Sequence, residues 1–166
     1  MRLFFAAWPP AGTADALAQW AEPLEGRAIP VNKIHLTLAF LGDAQPDPAI
    51  AAARRVRGRA HDLPIEVAKY WKHNQIVWVG PRETPAALKA LVEVLHKELH
   101  DGGFRLESRP FAAHVTLLRK APKPISLPAL PAVEWPIREL ALVSSAVSSK
   151  GSTYTVLERF RLQTSV

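Results

Sequence analysis

Residues 32–42 read NKIHLTLAFLG and place a histidine and a threonine, two positions apart, inside an otherwise apolar run. Because successive side chains of a β-strand point to opposite faces, His35 and Thr37 would share one face. The other face would carry the apolar side chains Leu36, Leu38 and Phe40. The stretch therefore predicts a strand that turns one face to a core and presents an ionisable ring and a hydroxyl on the other.

The same pattern recurs in RPFAAHVTLLRK, residues 109–120, where His114 and Thr116 would again share one strand face. A lone histidine on a strand is usually a hydrogen-bonded structural residue. Two His-x-Thr-Leu matches among the six histidines would, however, arise by chance roughly four times in ten thousand for this composition. The repetition therefore favours a shared chemical role for the two strands.

Strands and helices are predicted to alternate along the remainder of the chain. The predicted strands cover residues 2–8, 34–42, 63–71, 75–80, 113–119, 137–147 and 152–162. The predicted helices cover residues 12–24, 47–60 and 84–103, and the last carries an apolar stripe of Leu88, Leu91, Val92, Leu95 and Leu99. Thr13 and Thr84 are the predicted N-terminal caps of the first and third helices. This order predicts an α+β fold in two comparable halves, with residues 1–166 forming one domain.

The composition excludes several classes of protein. The 166 residues are 48% apolar and 22% charged, which is typical of a folded globular chain and not of a disordered one. There is no cysteine, so disulfide frameworks and thiol nucleophiles are excluded. A net charge of +6 and a pI near 10.0 favour an anionic partner such as nucleic acid or a phosphate ester. Pro9 interrupts the apolar N-terminal run, so we expect a cytoplasmic protein without a membrane segment.

Two imidazoles and two hydroxyls would meet if the two His-x-Thr strands lie beside one cleft. An imidazole titrates near neutral pH, so one neutral ring can act as a base while the other, protonated, acts as an acid. Attack of water on a phosphodiester needs both functions, and the hydroxyls of Thr37 and Thr116 can donate hydrogen bonds to the phosphate oxygens. This chemistry requires neither a metal ion nor an organic cofactor.

Arg119 is a further candidate for binding phosphate, because a guanidinium group pairs with phosphate through two parallel hydrogen bonds. Strict alternation along the strand would place Arg119 on the face opposite His114 and Thr116. It reaches the same site only if the strand ends or twists before it.

The two motifs carry a resemblance to a known family. HLTL at residues 35–38 and HVTL at residues 114–117 are accompanied by RLFFA near the start, by Phe-Leu-Gly after the first motif and by Arg after the second. With these features the chain resembles the two-histidine (2H) phosphoesterase superfamily, and within it the bacterial and archaeal RNA 2′,3′-cyclic phosphodiesterases, formerly called 2′-5′ RNA ligases. Trp8 and the double proline after it depart from the family pattern.

The resemblance implies a bilobal α+β fold with two antiparallel-sheet lobes, outer helices and a central cleft between the two His-x-Thr strands. It implies metal-independent opening of a 2′,3′-cyclic phosphate at an RNA 3′ end to a 2′-phosphomonoester, with His35 as the proton donor and His114 as the proton acceptor. It also implies an RNA partner with such an end, including tRNA fragments, and we expect a monomer without a cofactor. The residues alone leave the acid and base roles open, since the two motifs are nearly symmetric.

Three further groups of residues could have a role in binding. His96 and His100 are four positions apart on a predicted helix and could bind a metal ion, but HKELH lacks the glutamate of a zinc-protease motif, so a solvated helix face is the favoured interpretation. The basic run Arg54–Arg59 could guide RNA, or it could be a charged helix end. Phe111 could stack on a terminal base, although core packing is the commoner role of an aromatic side chain.

Three functions therefore remain open from the sequence. The first is the RNA 2′,3′-cyclic phosphodiesterase, with 2′-5′ ligation as its reverse reaction. The second keeps the same four groups and changes the substrate, to ADP-ribose 1″,2″-cyclic phosphate or a 2′-5′ linked oligonucleotide. The third is a non-catalytic protein that binds RNA ends. Turnover distinguishes the third from the other two.

Overall fold

The computed structural model describes residues 1–164. In this range the helices are α1 Ala11–Ala21, α2 Pro46–Arg54 and α3 Ala86–Asp101, with a short 3-10 helix at Val31–Lys33. The strands are β1 Arg2–Ala7, β2 Arg27–Ala28, β3 Leu36–Asp43, β4 His61–Asp62, β5 Val67–Trp71, β6 Ile76–Gly80, β7 Val115–Arg119, β8 Pro136–Ile137, β9 Glu139–Ser148 and β10 Gly151–Arg161. No helix among these is long and apolar enough to cross a membrane.

Two four-stranded antiparallel sheets form the two lobes. The first sheet has the strand order β10-β9-β1-β3, the second has the order β2-β7-β6-β5, and β4 and β8 form a separate short pair. The predicted α+β fold with two antiparallel lobes is thereby confirmed. The two His-x-Thr strands, β3 and β7, belong to different sheets and approach each other between the lobes.

The main core packs one face of each sheet against the helices. Leu3 and Phe5 of β1, like Val115 and Leu117 of β7, are buried in this core. The predicted apolar stripe of α3 is confirmed, since all five of its members are buried: Leu88, Leu91, Val92, Leu95 and Leu99. Helix α1 packs against β7 and helix α3 against β3, so each His-x-Thr strand has a helix behind it.

The opposite face of the first sheet has a small apolar cluster of its own. Phe4 and Ala6 of β1 contact Ala141 and Val143 of β9 there, and Trp8 and Tyr154 pack at its margin. Burying both faces of β1 removes additional apolar surface from water, which stabilises the central strand of this lobe. The Phe4 ring of this cluster lies 5.2 Å, centre to centre, from the ring of His35.

The predicted helix caps are wrong for both α1 and α3. The N-cap positions are Pro10 and Pro85, each directly before the first helical residue, and neither helix start is capped by a side chain. Thr13 is instead buried, and its hydroxyl donates a hydrogen bond to the carbonyl oxygen of Glu134. Proline fixes φ near its helical value, so it can begin a helix where a threonine cap was expected.

Each His-x-Thr strand contains a β-bulge three residues after its histidine. In β3, Thr37 pairs with Ala6 and Ala39 pairs with Phe5, which leaves Leu38 as the extra residue. In β7, Thr116 pairs with Trp78 and Leu118 pairs with Val77, which leaves Leu117 as the extra residue. A bulge shifts the alternation of side chains by one position. Ala39 and Phe40, like Leu118 and Arg119, therefore lie on the face opposite to the one predicted. A second shift at Leu41 restores the alternation at the end of β3, where Gly42 pairs with Leu3.

The bulges correct two of the predictions made from strict alternation. Leu117 and Leu118 are both buried, and Arg119 turns to the same side as Thr116. Likewise Leu38 and Ala39 are both buried, and Phe40 is 48% exposed instead of sharing the core with Leu36. The guanidinium carbon of Arg2 lies 5.3 Å from the centre of the Phe40 ring.

Candidate functional site

His35 lies directly before β3, and both of its ring nitrogens are hydrogen-bonded. Its Nδ1 donates to the carbonyl oxygen of Lys33 at 2.6 Å, and its Nε2 lies 3.0 Å from Thr37 Oγ1. A carbonyl oxygen can only accept, so Nδ1 carries a proton and, in the neutral ring, Nε2 is the acceptor. The Trp8 ring stacks on the imidazole, with ring centres 5.0 Å apart and planes inclined by 22°. The geometry leaves Nε2 as the atom that can gain or lose a proton.

His114 is held in the same way directly before β7. Its Nδ1 donates to the carbonyl oxygen of Ala112 at 2.8 Å, again two residues earlier in the chain. Trp71 and Trp78 pack against the ring, with centres 4.7 and 6.1 Å from that of the imidazole. The two histidines thus have the same tautomer, the same backbone anchor and an aromatic support from their own lobe.

The four predicted polar side chains and Arg119 line one cleft of about 680 Å³ between the lobes. It contains His35, Thr37, His114, Thr116 and Arg119, so the structure brings together all five of the residues predicted to act on phosphate. Further basic side chains surround them, namely Arg27, Lys33, Lys120 and Lys150. The turn between β9 and β10 forms one wall, and Tyr154 lies edge-on to His35 with ring centres 5.6 Å apart. The cleft suits an anion with several oxygens.

Burial lowers the pKa of both histidines from the ordinary value. For His35 the Lys33 carbonyl opposes this effect, and the positive charges of Arg119 and His114 add to it. For His114 the Ala112 carbonyl opposes the effect of burial, and Arg119 again adds to it. A negative charge placed between the rings would stabilise their protonated forms and raise both pKa values. The groups of the cleft by themselves therefore favour neutral rings, and an anionic ligand favours protonation.

Some predicted residues lie elsewhere. Phe111 is half-buried, packs against the main core and is not one of the described residues that line the cleft. In the basic run, Arg55 pairs with Glu98 at 2.8 Å, and Arg57 donates to the carbonyl oxygen of Arg54 at the end of α2. These contacts fit a charged helix end.

Residues that the sequence did not assign to the site support it. Trp8 and Tyr154 surround His35, and Trp71 packs on His114. The sequence contained one indication that Trp8 is unusual, since this residue departs from the family pattern at the end of β1. It contained no such indication for Tyr154, because the approach of Tyr154 to His35 depends on how β10 packs across the first sheet.

The interpretation of His96 as part of a solvated helix face is wrong. His96 is half-buried, and its Nε2 donates to the carbonyl oxygen of Leu38 at 2.9 Å, whereas His100 is exposed. Leu38 is the bulged residue of β3, an edge strand that has no neighbouring strand on that side. In the second lobe the bulged residue Leu117 receives its hydrogen bond from the backbone N–H of Ile29. The side chain of His96 therefore donates to the bulged residue of β3, as the backbone of Ile29, directly after β2, donates to the bulged residue of β7. Within residues 1–164, no three side chains of metal-binding type converge.

Replacing His96 by alanine is expected to lower the free energy of unfolding by about 1–3 kcal/mol, because a half-buried carbonyl loses its donor. The His96→Gln variant should recover part of the loss, since its amide can donate. His100→Ala is the matched control, one turn away on the same helix, and should change stability by less than about 0.5 kcal/mol. Urea denaturation of the three variants measures these values. Equal stability of His96→Ala and His100→Ala would show that the bond to Leu38 contributes nothing.

Comparison with known proteins links this geometry to a family. The model of the 2′-5′ RNA ligase superfamily matches residues 8–148. The RNA 2′,3′-cyclic phosphodiesterase of Escherichia coli K12 is 33% identical, over 97% of this chain and 96% of its own. That of Thermus thermophilus is 34% identical, over 98% and 91% of the two chains. Crystal structures of E. coli LigT in the apo form and with 3′-AMP superpose with TM-scores of 0.89 and 0.88, at 30% and 31% identity, and each covers 97% of this chain.

Proposed function

Because the chain belongs to the 2′-5′ RNA ligase superfamily, we propose that it hydrolyses 2′,3′-cyclic phosphate ends of RNA to 2′-phosphomonoesters. The observation that carries the proposal is the pair of His-x-Thr motifs, from two different sheets, on one basic cleft. Both rings are anchored through Nδ1, so both present Nε2 for proton transfer. The proposal includes action as a monomer on RNA ends that include tRNA fragments.

The reaction needs one base and one acid. His114, neutral, removes a proton from a water molecule, whose oxygen forms a bond to phosphorus. The bond from phosphorus to the 3′ oxygen breaks, and protonated His35 gives its proton to that oxygen. The product carries a 3′-hydroxyl and a 2′-phosphate. At the end of the step His114 has gained a proton and His35 has lost one. We assign His35 as the acid and His114 as the base from the order of the two motifs in the family.

The phosphate oxygens carry the negative charge throughout the reaction. Thr37 and Thr116 can each donate one hydrogen bond to a non-bridging oxygen, and the guanidinium of Arg119 can donate two. Donors that are fixed before the reaction need no reorganisation as the charge shifts. The bulge at Leu117, which turns Arg119 into the cleft, is therefore part of the proposed site.

The deciding experiment is analysis of the product from a short RNA ending in a 2′,3′-cyclic phosphate, incubated with the protein in EDTA. Mass and chromatography should identify a 2′-phosphate. A 3′-phosphate would contradict the choice of leaving oxygen, and a requirement for added metal would contradict the mechanism. RNA binding without any product would favour the non-catalytic alternative, and hydrolysis of ADP-ribose 1″,2″-cyclic phosphate alone would favour the other substrate class. Incubating the cyclic phosphate RNA with a second RNA that has a 5′-hydroxyl end tests 2′-5′ ligation.

The pH at which kcat/KM is maximal is expected to lie on the acid side of neutrality. The active form has one protonated and one neutral histidine, and burial lowers both pKa values. The maximum of kcat/KM, which reports the free enzyme, should therefore lie below about pH 6.5. The maximum of kcat should lie at higher pH, because the bound phosphate raises both pKa values. Steady-state kinetics at a series of pH values measures both. A kcat/KM maximum on the alkaline side of neutrality would contradict the proposed protonation states.

A further inference from the structure

A second cavity, of about 800 Å³, opens beside the first sheet. Its lining includes an indole and three guanidinium groups, from Trp8, Arg138, Arg159 and Arg161. We call it the arginine pocket. Ala6, Glu139 and Ala141 of the first sheet also line it, and neither histidine of the cleft does.

The arginine pocket and Thr37 of the first His-x-Thr motif lie on the same face of the first sheet. Directly paired residues on neighbouring strands point to the same face. Thr37 pairs with Ala6, Ala6 with Ala141, and Ala141 with Arg159, so these four residues form one row across the sheet. Three strand spacings of about 4.8 Å separate β3 from β10, which places the backbone of Arg159 roughly 14 Å from that of Thr37.

Trp8 belongs to both sites. Its ring stacks on His35 and also lines the arginine pocket. Its indole N–H donates to the carbonyl oxygen of Asn32 at 3.2 Å, which fixes the plane of the ring. A molecule bound at His35 can therefore continue past Trp8 into the arginine pocket without leaving the surface.

The charge of the pocket matches a phosphodiester chain. Glu139 is its one described carboxylate, and it pairs with Arg159 at 2.9 Å. Arg138 and Arg161 are exposed and form no ion pair with another described residue. One guanidinium group can donate two parallel hydrogen bonds to a phosphate, and a base can stack on an indole ring. The combination suits a nucleotide with its phosphate better than an apolar or cationic ligand.

We propose that the arginine pocket binds the nucleotides on the 5′ side of the cyclic phosphate end, with Arg138 and Arg161 on the phosphodiester groups and Trp8 beside a base. This inference rests on the proposed function. A cleft of about 680 Å³ is of the size that encloses a single small ligand such as the terminal nucleotide. The rest of the RNA must then leave the cleft along an adjacent surface, and the arginine pocket is the basic surface that Trp8 connects to it. A mononucleotide would not reach it.

The test compares two substrates of different length, a nucleoside 2′,3′-cyclic phosphate and a pentanucleotide RNA with the same end. For the double variant with Arg138→Gln and Arg161→Gln, the ratio of kcat/KM on the pentanucleotide to that on the mononucleotide should fall about tenfold, which is about 1.4 kcal/mol. Arg105→Gln is the control, because Arg105 is exposed and lines neither cavity. Fluorescence anisotropy of the RNA should give a salt slope that is smaller by about 0.7 for each phosphate that the double variant no longer neutralises.

Two results would overturn the proposal. One is an unchanged ratio of the two kcat/KM values with an unchanged salt slope. The other is an equal loss on both substrates, which would mean that the pocket holds the terminal nucleotide or acts on His35 through Trp8. If the unmodified protein hydrolyses neither substrate, the proposed function fails, and anisotropy still decides the role of the arginine pocket: weaker RNA binding by the double variant supports it, and equal binding overturns it.

Discussion

Alanine at position 35 or at position 114 is expected to lower kcat for a 2′,3′-cyclic phosphate end by about 10²–10⁴-fold, the usual contribution of a positioned acid or base. Each change removes one imidazole whose Nδ1 is anchored to a carbonyl oxygen, and the described lining of the cleft contains no third histidine. The two changes together should cost less than the product of the single losses, because acid and base act in one step.

Single-turnover kinetics and RNA binding separate this prediction from a loss of structure. Both variants should bind the RNA nearly as well as the unmodified protein, since the basic side chains of the cleft remain. Each variant should also lose one limb of the pH profile, because one titrating group has been removed. His100→Ala, an exposed histidine, should leave both rate and binding unchanged. Full activity of either alanine variant would exclude the proposed pair of proton-transfer groups.

The sequence was sufficient to predict the two polar strand faces and most of the element order. Alternation places His35 with Thr37, and His114 with Thr116, without any knowledge of the fold. The apolar stripe of α3 is equally local, because it depends only on the helical repeat. The orientation of the side chains after each motif was not predictable in this way. Whether Arg119 enters the cleft depends on one extra residue, Leu117, in the pairing of β7 with β6.

A bulge is decided by the partner strand and not by the bulged sequence. Nothing in HLTLAF or HVTLLR marks Leu38 or Leu117 as the extra residue, because leucine fits a regular strand equally well. The role of His96 could not be predicted from the sequence for the same reason. Its acceptor, the carbonyl oxygen of Leu38, becomes available only because β3 is an edge strand with a bulge. Tertiary pairing therefore determines the details that distinguish a catalytic cleft from two polar strands.

The two lobes are alike up to the bulges and differ after them. Each histidine donates to the carbonyl oxygen two residues earlier, and the first bulge after it lies three residues later. The residue five positions after the histidine is Phe40 in the first lobe and Arg119 in the second. Only the second of these lines the cleft with the histidines. The symmetric groups can exchange protons in either direction, and the asymmetric arginine gives one side of the phosphate a fixed positive charge.

Removal of the guanidinium of Arg119 is therefore expected to have the next largest effect. Arg119→Ala should lower kcat/KM by about 10²–10³-fold, as for the loss of a fixed donor to a charged oxygen. Arg119→Lys should recover part of the rate, because it restores the charge without the two parallel hydrogen bonds. Arg105→Gln provides the control for a change of net charge.

The pH profile gives this prediction a second, independent measurement. The positive charge of Arg119 lowers the pKa of both His35 and His114, since it disfavours their protonated forms. Without it, both pKa values rise, and the kcat/KM profile of Arg119→Ala should move to higher pH. The profile of Arg119→Lys should stay in place, because its charge is kept. If Arg119 only supported the fold, its replacement by alanine would lower the melting temperature and leave the pH profile unchanged. An alanine variant that is slower but has an unshifted profile would place the guanidinium too far from the histidines to share a phosphate with them.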